Sequence, residues 1–406
     1  MNTFPKRKFM DPSTPPTLLS LVLLAAVGAI AMNMFLPSLP SMAQDFEVDY
    51  PVIQLSVTLF LAMNAVIQLF LGPLSDRYGR RPVALIAMSV FCVATVGTII
   101  APTVEWFLAA RILQAAVVAG LVLSRAAIRD MYDANQAASV MGYVTMCMAI
   151  VPMLGPMFGG WLEENFGWVS NFWFMLGFGI FAVVIIMFDM GETNQNRSTS
   201  MAAQFRSYPE LFRSRRFWAY CLSSGSTVGA YFAYLGGAAF VGANIFDLPP
   251  ATLGIYFGAP ALGYAAGNGL SGALSVKMGI NRMILTGATI SSAGMLIALI
   301  LFLTTDPVPL SFFAPVVLVG VGNGMSLPNA MSGMMSVRPH LAGSASGIGG
   351  TIMTGLGSVL AAVTGSILTP GTGAEPLILI MLASSIMPLF FITYIVRRER
   401  TLQADA

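Results

Sequence analysis

The 406-residue chain is poor in charge: Asp, Glu, Lys and Arg make up 9% of it, and it holds one histidine and three cysteines. That scarcity excludes a soluble surface, on which roughly a quarter of all residues would be charged. It has no G-x-x-x-x-G-K-[ST] loop to cradle a nucleotide phosphate, and the single histidine, His340, falls in an expected turn. Metal-ligand clusters and paired nucleophile and base are also missing, so no cofactor and no enzymatic reaction are expected. Any work must come from gradients. Cys92, Cys147 and Cys221 lie in apolar runs, where packing is expected rather than a disulfide framework. No Asp or Glu is expected deep in such a run, which removes the commonest intramembrane proton-relay group.

What the chain does have is apolar length. Hydrophobic residues make up 56% of it, with 27 Met and 27 Phe, and mean hydropathy is +0.77. Runs of about 20 apolar residues recur, each long enough to cross ~30 Å of hydrocarbon as a helix. An all-α membrane protein is expected, with twelve spans near 17–38, 52–73, 82–101, 106–127, 137–160, 168–188, 217–242, 251–275, 281–303, 311–332, 343–368 and 375–396. The long polar interval from Asp189 to Arg216 divides them into two sets of six. The expected domains are therefore an N-terminal bundle over 1–188, a central cytoplasmic loop over 189–216 and a C-terminal bundle over 217–406. Pro209 to Arg216 reads as a short interfacial helix. Lys6-Arg7-Lys8 and the apolar run after them read as a retained first helix, not a cleaved leader.

With the N-terminus in the cytoplasm, 19 of the 20 basic residues fall on the cytoplasmic side and none in an outer loop. Both termini are thus expected to be cytoplasmic. Glycine, proline and charge crowd together at Gly72-Pro-Leu-Ser-Asp-Arg-Tyr-Gly-Arg-Arg-Pro82, a turn between spans two and three. Gly72-x-Leu-Ser-x-Arg-x-Gly79 returns as Gly272-x-Leu-Ser-x-Lys-x-Gly279, and Gly120 and Gly320 keep the same offset. A parallel repeat of this kind suits a two-lobed transporter, although glycine is common enough here for chance matches.

Arg111 is the one base inside a span. It is expected either to line a wet cavity, holding substrate or controlling coupling, or to snorkel outward towards Glu105. Asn33 in span one either lines the cavity or bonds a neighbouring helix. Gln54, Asn64 and Gln68 in span two, Gln114 in span four, and Asn323 and Asn329 in span ten offer neutral hydrogen bonds to an uncharged substrate or between helices. Tyr143, Tyr231, Tyr234, Tyr256 and Tyr264 each need a polar partner or water inside a span. The expected cavity set is Asn33, Asn64, Arg111, Gln114, Tyr143, Tyr231, Tyr234 and Asn323. In span five, Gly142, Pro152, Gly155, Pro156, Gly159 and Gly160 suit either a bendable gate or static tight packing.

The turn from Gly72 to Pro82 resembles the signature loop of the major facilitator superfamily. Arg111-x-x-Gln114 resembles its helix-four motif, and Gly142 with Pro152, Gly155-Pro156 and Gly159-Gly160 resembles the helix-five motif of its drug antiporters. Met34-Phe-Leu-Pro-Ser-Leu-Pro40, Ile128-Arg-Asp-Met-Tyr132 and Gly191-Glu-Thr193 make the chain similar to the bicyclomycin/chloramphenicol resistance (Bcr/CflA) exporters. The resemblance implies the major facilitator fold, with twelve helices in two pseudo-symmetric bundles. It also implies a bacterial inner membrane, and export of small amphipathic xenobiotics in exchange for protons. Small-molecule substrate, lipid and protons are the expected partners of a monomer; no nucleic acid is expected. Asn33 stands where such exporters usually carry an acid, and Phe35 replaces their usual Tyr. An uncoupled facilitator or importer, or a transporter-like sensor, is therefore kept as an alternative. The resemblance also makes Gly72, Asp76, Arg77, Gly79, Arg80 and Arg81 a conformational latch. Asp76 would sit near the N-terminus of helix eleven or pair with Arg77, Arg80 or Arg125, and Val276 removes its counterpart in the second copy.

Overall fold

A computed structural model describes residues 8–132, 144, 151–152, 154–194, 208–338, 341–369 and 371–404. Among them there are helices and no strands, as the lipid environment requires of a chain that must satisfy its backbone internally. We label twelve long helical segments. α1 runs Leu18–Asn33 and continues through a 3-10 turn, Leu36–Ser38, into Leu39–Asp45. α2 is Tyr50–Tyr78 and α3 is Arg80–Ile99. α4 comprises Val104–Gln114 and Val118–Met131, joined by a 3-10 turn. α5 is helical over 154–166 and α6 is Val169–Asp189. α7 is Arg215–Asn244, and α8 is Pro250–Phe257 followed by Ala259–Met278. α9 is Ile280–Thr304, α10 Pro309–Val337, α11 Ala342–Ile367 and α12 Glu375–Ala404. Gly142, Tyr143 and Cys147 lie outside the described residues.

Several helices outrun the expected spans. The 29 residues of α2 make a rod of about 43 Å, so it overhangs a ~30 Å hydrocarbon layer and carries Asp76 and Arg77 clear of it. α5 continues to residue 166, so Glu163 and Glu164 stand in its last turns rather than in a loop. The interruptions at Met34–Phe35 and Gly258 precede Pro37 and Pro260, whose rings cannot continue the preceding backbone bonds. The expected interfacial helix is shorter, Tyr208–Phe212, and Arg338 at the end of α10 pairs with its Glu210 at 2.9 Å.

Both copies of the repeated turn close a helix in the same way. Gly79 and Gly279 have φ of +103° and +80°, and their N–H groups donate to Ser75 O and Ser275 O. A side chain at either position would be strained, which is why glycine recurs. Gly120 and Gly320 are both sites of close approach but meet different neighbours. A Cβ on Gly120 would lie 2.2 Å from Leu24 O of α1, and one on Gly320 would lie 2.0 Å from Pro260 O of α8.

One end of the first six spans gathers Gly79, Asp130, residues 187–194 and Met10, through Arg80–Asp130, Thr193–Asp130, Asn194–Asp76 and Met10–Asp189 contacts, and at the corresponding end of the last six Tyr220 bonds Asn281 and Arg338 pairs with Glu210; this is the basic end. The opposite, far end is sealed between the first and last six spans. There Tyr50 Oη donates to Gly236 O (3.0 Å), and Gln54 Nε2 donates to Ala361 O (2.9 Å). A Cβ on Gly160 of α5 would lie 2.2 Å from Pro250 O of α8, and one on Gly254 would lie 2.3 Å from Pro156 O. α2 and α11 run side by side from Gln54 and Ala361 past Ala65 and Gly355 to Gln68, whose Oε1 is 3.3 Å from the Cβ position of Gly350. Beyond that point the Cβ positions of Gly72 and Gly347 meet nothing within 4 Å. The two halves touch at the far end, and towards the basic end Leu69 of α2 still packs on the second half while space opens beside Gly72 and Gly347.

Candidate functional site

Where the halves meet, α1 and α7 bring Asn33 and Tyr231 together. The Asn33 amide nitrogen donates to Ala29 O (2.8 Å), which turns its oxygen out to accept from Tyr231 Oη (3.3 Å). Tyr231 stacks on Tyr234 at 6.3 Å between ring centroids. Tyr234 donates to Tyr256 O (3.2 Å) and is ringed by Phe257, Phe312 and Phe313. Tyr256 stacks on Phe313 at 4.8 Å. Asn323 of α10 is buried, and in the amide orientation that satisfies its neighbours it donates to Thr227 O (3.1 Å) and Val319 O (3.3 Å). Asn64 of α2 is buried with no donor for its oxygen. Of this cluster Tyr231 and Tyr256 are half-buried, whereas Asn33, Asn323 and Tyr234, the last at 0% exposure, are buried, so Tyr234 lines no open space, contrary to expectation. The cluster is aromatic, with neutral amides and phenols and no carboxylate, and the rings that reach open space suit stacking and single hydrogen bonds to an uncharged, part-apolar ligand.

Arg111 and Gln114 are placed elsewhere. Arg111 is 0% exposed and neither lines open space nor reaches outward to Glu105, which is exposed at the start of α4. Its guanidinium lies between the rings of Phe35 and Phe60, 4.3 and 4.4 Å from their centroids. It donates to Gln114 Oε1 (2.7 Å), Ala31 O (3.3 Å) and Ser56 O (3.4 Å). Gln114 passes the contact on to Thr95 Oγ1 (2.8 Å). Two ring faces and these acceptors hold the cation with no carboxylate against it among the described residues, tying α1, α2, α3 and α4 together. Phe35, the departure from the usual Tyr, supplies one of those faces.

At the basic end the residues from Gly72 to Arg81 form a network within the first six spans. Asp76 Oδ1 pairs with Arg80 Nη1 (2.6 Å), and Arg80 Nε pairs with Asp130 Oδ2 (3.0 Å). Thr193 Oγ1 also donates to Asp130 Oδ2 (3.1 Å). Glu192 accepts from the backbone N–H of Arg80 (2.8 Å) and Arg81 (3.2 Å), so a carboxylate caps the first turn of α3 where the helix dipole favours it. Asn194 donates to Asp76 O (2.8 Å). Arg81 reaches Met187 O (2.8 Å), and Arg77 lies over its neighbour Tyr78 at 5.4 Å. Sequence reasoning valued Asp130 and Gly191-Glu-Thr193 only as family signatures. Here they are the partners of the turn, and Gly191 is small because a Cβ would lie 2.2 Å from Thr14 O.

In α5, Gly159 and Gly160 let the helix lie backbone-to-backbone on α1 and α8. A Cβ on Gly159 would collide with Met34 O, and Gly155 stays within 3.9 Å of Met34. Pro152 and Pro156 are helical, and Pro156 O faces Gly254.

The sequence pattern of the Major Facilitator Superfamily matches residues 21–362. The chain belongs to this superfamily. The chloramphenicol resistance protein of Pseudomonas aeruginosa is 29% identical over 345 residues, covering 83% of this chain and 81% of its own. Multidrug resistance protein D of Escherichia coli (strain K12) is 29% identical over 372 residues, covering 90% and 91%. Among solved structures, a peptide transporter POT in complex with alafosfalin superposes with a TM-score of 0.78 at 13% identity, covering 97% of this chain and 96% of that one. The superfamily fold of twelve helices in two six-helix bundles is therefore that of this chain, a multi-pass membrane transporter rather than an enzyme. Its relatives carry the resemblance to the Bcr/CflA exporters.

Proposed function

We propose that this superfamily member exports small, amphipathic, uncharged or weakly charged compounds across a bacterial inner membrane by alternating access, in exchange for protons. The observation that carries the reading is the neutral aromatic and amide cluster of Asn33, Tyr231, Tyr234 and Tyr256, which joins both halves and in which Tyr231 and Tyr256 are only half-buried. The names of the relatives support drug-like cargo. With the basic end in the cytoplasm, this surface is reached from inside while the far end, towards the periplasm, is shut. The domain division expected at 1–188, 189–216 and 217–406 follows as two lobes that rock about this surface. On the same reading the Asp76–Arg80 pair is the released form of the latch, its outward-open partner being the start of α11. The transporter works as a monomer with substrate, lipid and protons as its only partners. A resistance panel including chloramphenicol and bicyclomycin, in a bacterium stripped of its own exporters, tests the proposal. Raised resistance to at least one compound is expected, and empty-vector levels for every compound refute it. Asn33 in place of the usual acid supports a second reading, an uncoupled facilitator. In that case substrate flux in vesicles is indifferent to an imposed pH gradient.

A further inference from the structure

Glu163 lies in the last turns of α5, three residues beyond Gly160, and is 7% exposed. Its Oε1 accepts from the Ser41 hydroxyl of α1, and the Ser38 hydroxyl faces it from the same helix. Its Oε2 has no hydrogen-bond partner. Beside it, Asn171 of α6 donates to Ser38 Oγ (3.0 Å) and Gly159 O (3.2 Å), and its own Oδ1 also lacks a donor. This one corner therefore holds two buried acceptor oxygens without a donor.

Among the described residues no cation pairs with the carboxyl group, and the charge that bears on it is that of Glu164, a second acid on the same helix. Asp45, at the end of α1, is engaged by Trp168 Nε1 (2.7 Å). α8 presents the backbone of Pro250 and Ala251 to the neighbouring Gly160. A carboxylate anion buried with hydroxyl donors on one side and no counter-ion is strongly disfavoured. A proton removes the charge and adds an O–H donor where acceptors are in excess. The position matters as much as the chemistry. One turn before Glu163, α5 is seated against α1 at Gly159 and against α8 at Gly160, so the carboxyl group stands behind the far-end seam.

We propose that Glu163 is a protonation lock on this seam, neutral while α8 is seated against α5 at Gly160 and ionised once α8 parts from α5 and water reaches the carboxyl group. The lock rests on the alternating-access reading above. Its sign follows from linkage: the closed seam binds the proton more tightly than the open one, so acid outside favours closure and rising pH favours opening. No intramembrane carboxylate at Asn33 is needed for the outer gate to sense protons.

The test uses the full chain in lipid nanodiscs with its native cysteines replaced and a fluorophore pair on Asn165→Cys and Asn244→Cys. Transfer efficiency between the pair is followed from acid to alkaline pH without ligand. In the otherwise wild-type protein the wide-apart population should grow as pH rises. Glu163→Gln keeps the shape and the Ser41 contact but cannot ionise, so it should stay closed throughout, while Glu163→Asp should restore a pH response. A pH-driven opening that Glu163→Gln leaves intact overturns the lock and spares alternating access. A wild-type distance that never changes with pH overturns the lock at its premise.

Discussion

Adding one methyl group at Gly160 puts the far-end seam under direct test. The Cβ of Gly160→Ala would lie 2.2 Å from Pro250 O, while an ordinary contact begins at 3.4 Å, so α5 and α8 must separate by about 1.2 Å at this point. The obstacle is backbone, so no rotamer change relieves it. Overpacking of this kind costs about 1–3 kcal/mol. The cost falls only on the state with the seam closed, because with α5 and α8 apart the methyl group meets nothing and alanine is the better helix former. The closed-to-open ratio should therefore fall by about 5- to 150-fold, at 1.4 kcal/mol per factor of ten. Spin labels on the outer ends of α5 and α8, read by double electron–electron resonance, should show a new long-distance population in Gly160→Ala. Gly254→Ala should do the same, since its Cβ would lie 2.3 Å from Pro156 O. If both variants keep the wild-type distances and melting temperature, the close approach does not limit this seam and the reasoning fails.

Other expectations follow from the same contacts. Arg111→Ala leaves Gln114 Oε1 and the carbonyls of Ala31 and Ser56 without their donor and empties the space between two phenyl rings. It should cost about 2–5 kcal/mol, seen as a lower melting temperature in detergent together with lost transport. Asp76→Asn should express and melt normally but turn over more slowly, and unchanged transport at equal expression removes the latch. Glu192→Gln should weaken the cap on α3 by about 1 kcal/mol, again read by melting. Asn33→Asp keeps the acceptor for Tyr231 while adding a titratable group, so transport should become more steeply pH-dependent than in the wild type.

Much of this architecture could be read from residue order, because a helix in lipid must be long, apolar and free of charge, and those demands mark the sequence directly. The turn at Gly72 to Pro82 was legible for the same reason, since a positive φ at Gly79 needs glycine whatever surrounds it. Burial was not legible. Arg111 read as a residue wanting water or a counter-ion, because nothing in Ala109-Ala-Arg-Ile-Leu announces that Phe35 and Phe60, from two other helices, would close over it. The residue pattern stops span five at 160, short of Glu163. The helix instead runs on to 166, since glycines set against neighbouring backbones need not break it. The Asn33–Tyr231 contact joins residues 198 apart, and only the assembled halves reveal it.

The guanidinium held between Phe35 and Phe60 also has a consequence for selectivity. Its partners are carbonyls, an amide and ring faces, and none of them can discharge it by giving or taking a proton. Arg111 lies seven residues inside α4, roughly 10 Å below the far end, so the guanidinium sits within the membrane part of the first bundle. At about 10 Å and an effective dielectric of ~20, that charge repels a passing monocation by roughly 1.7 kcal/mol, more than tenfold in occupancy. On the transport reading proposed above, a buried charge of this kind weights the cargo of the first bundle towards molecules without positive charge.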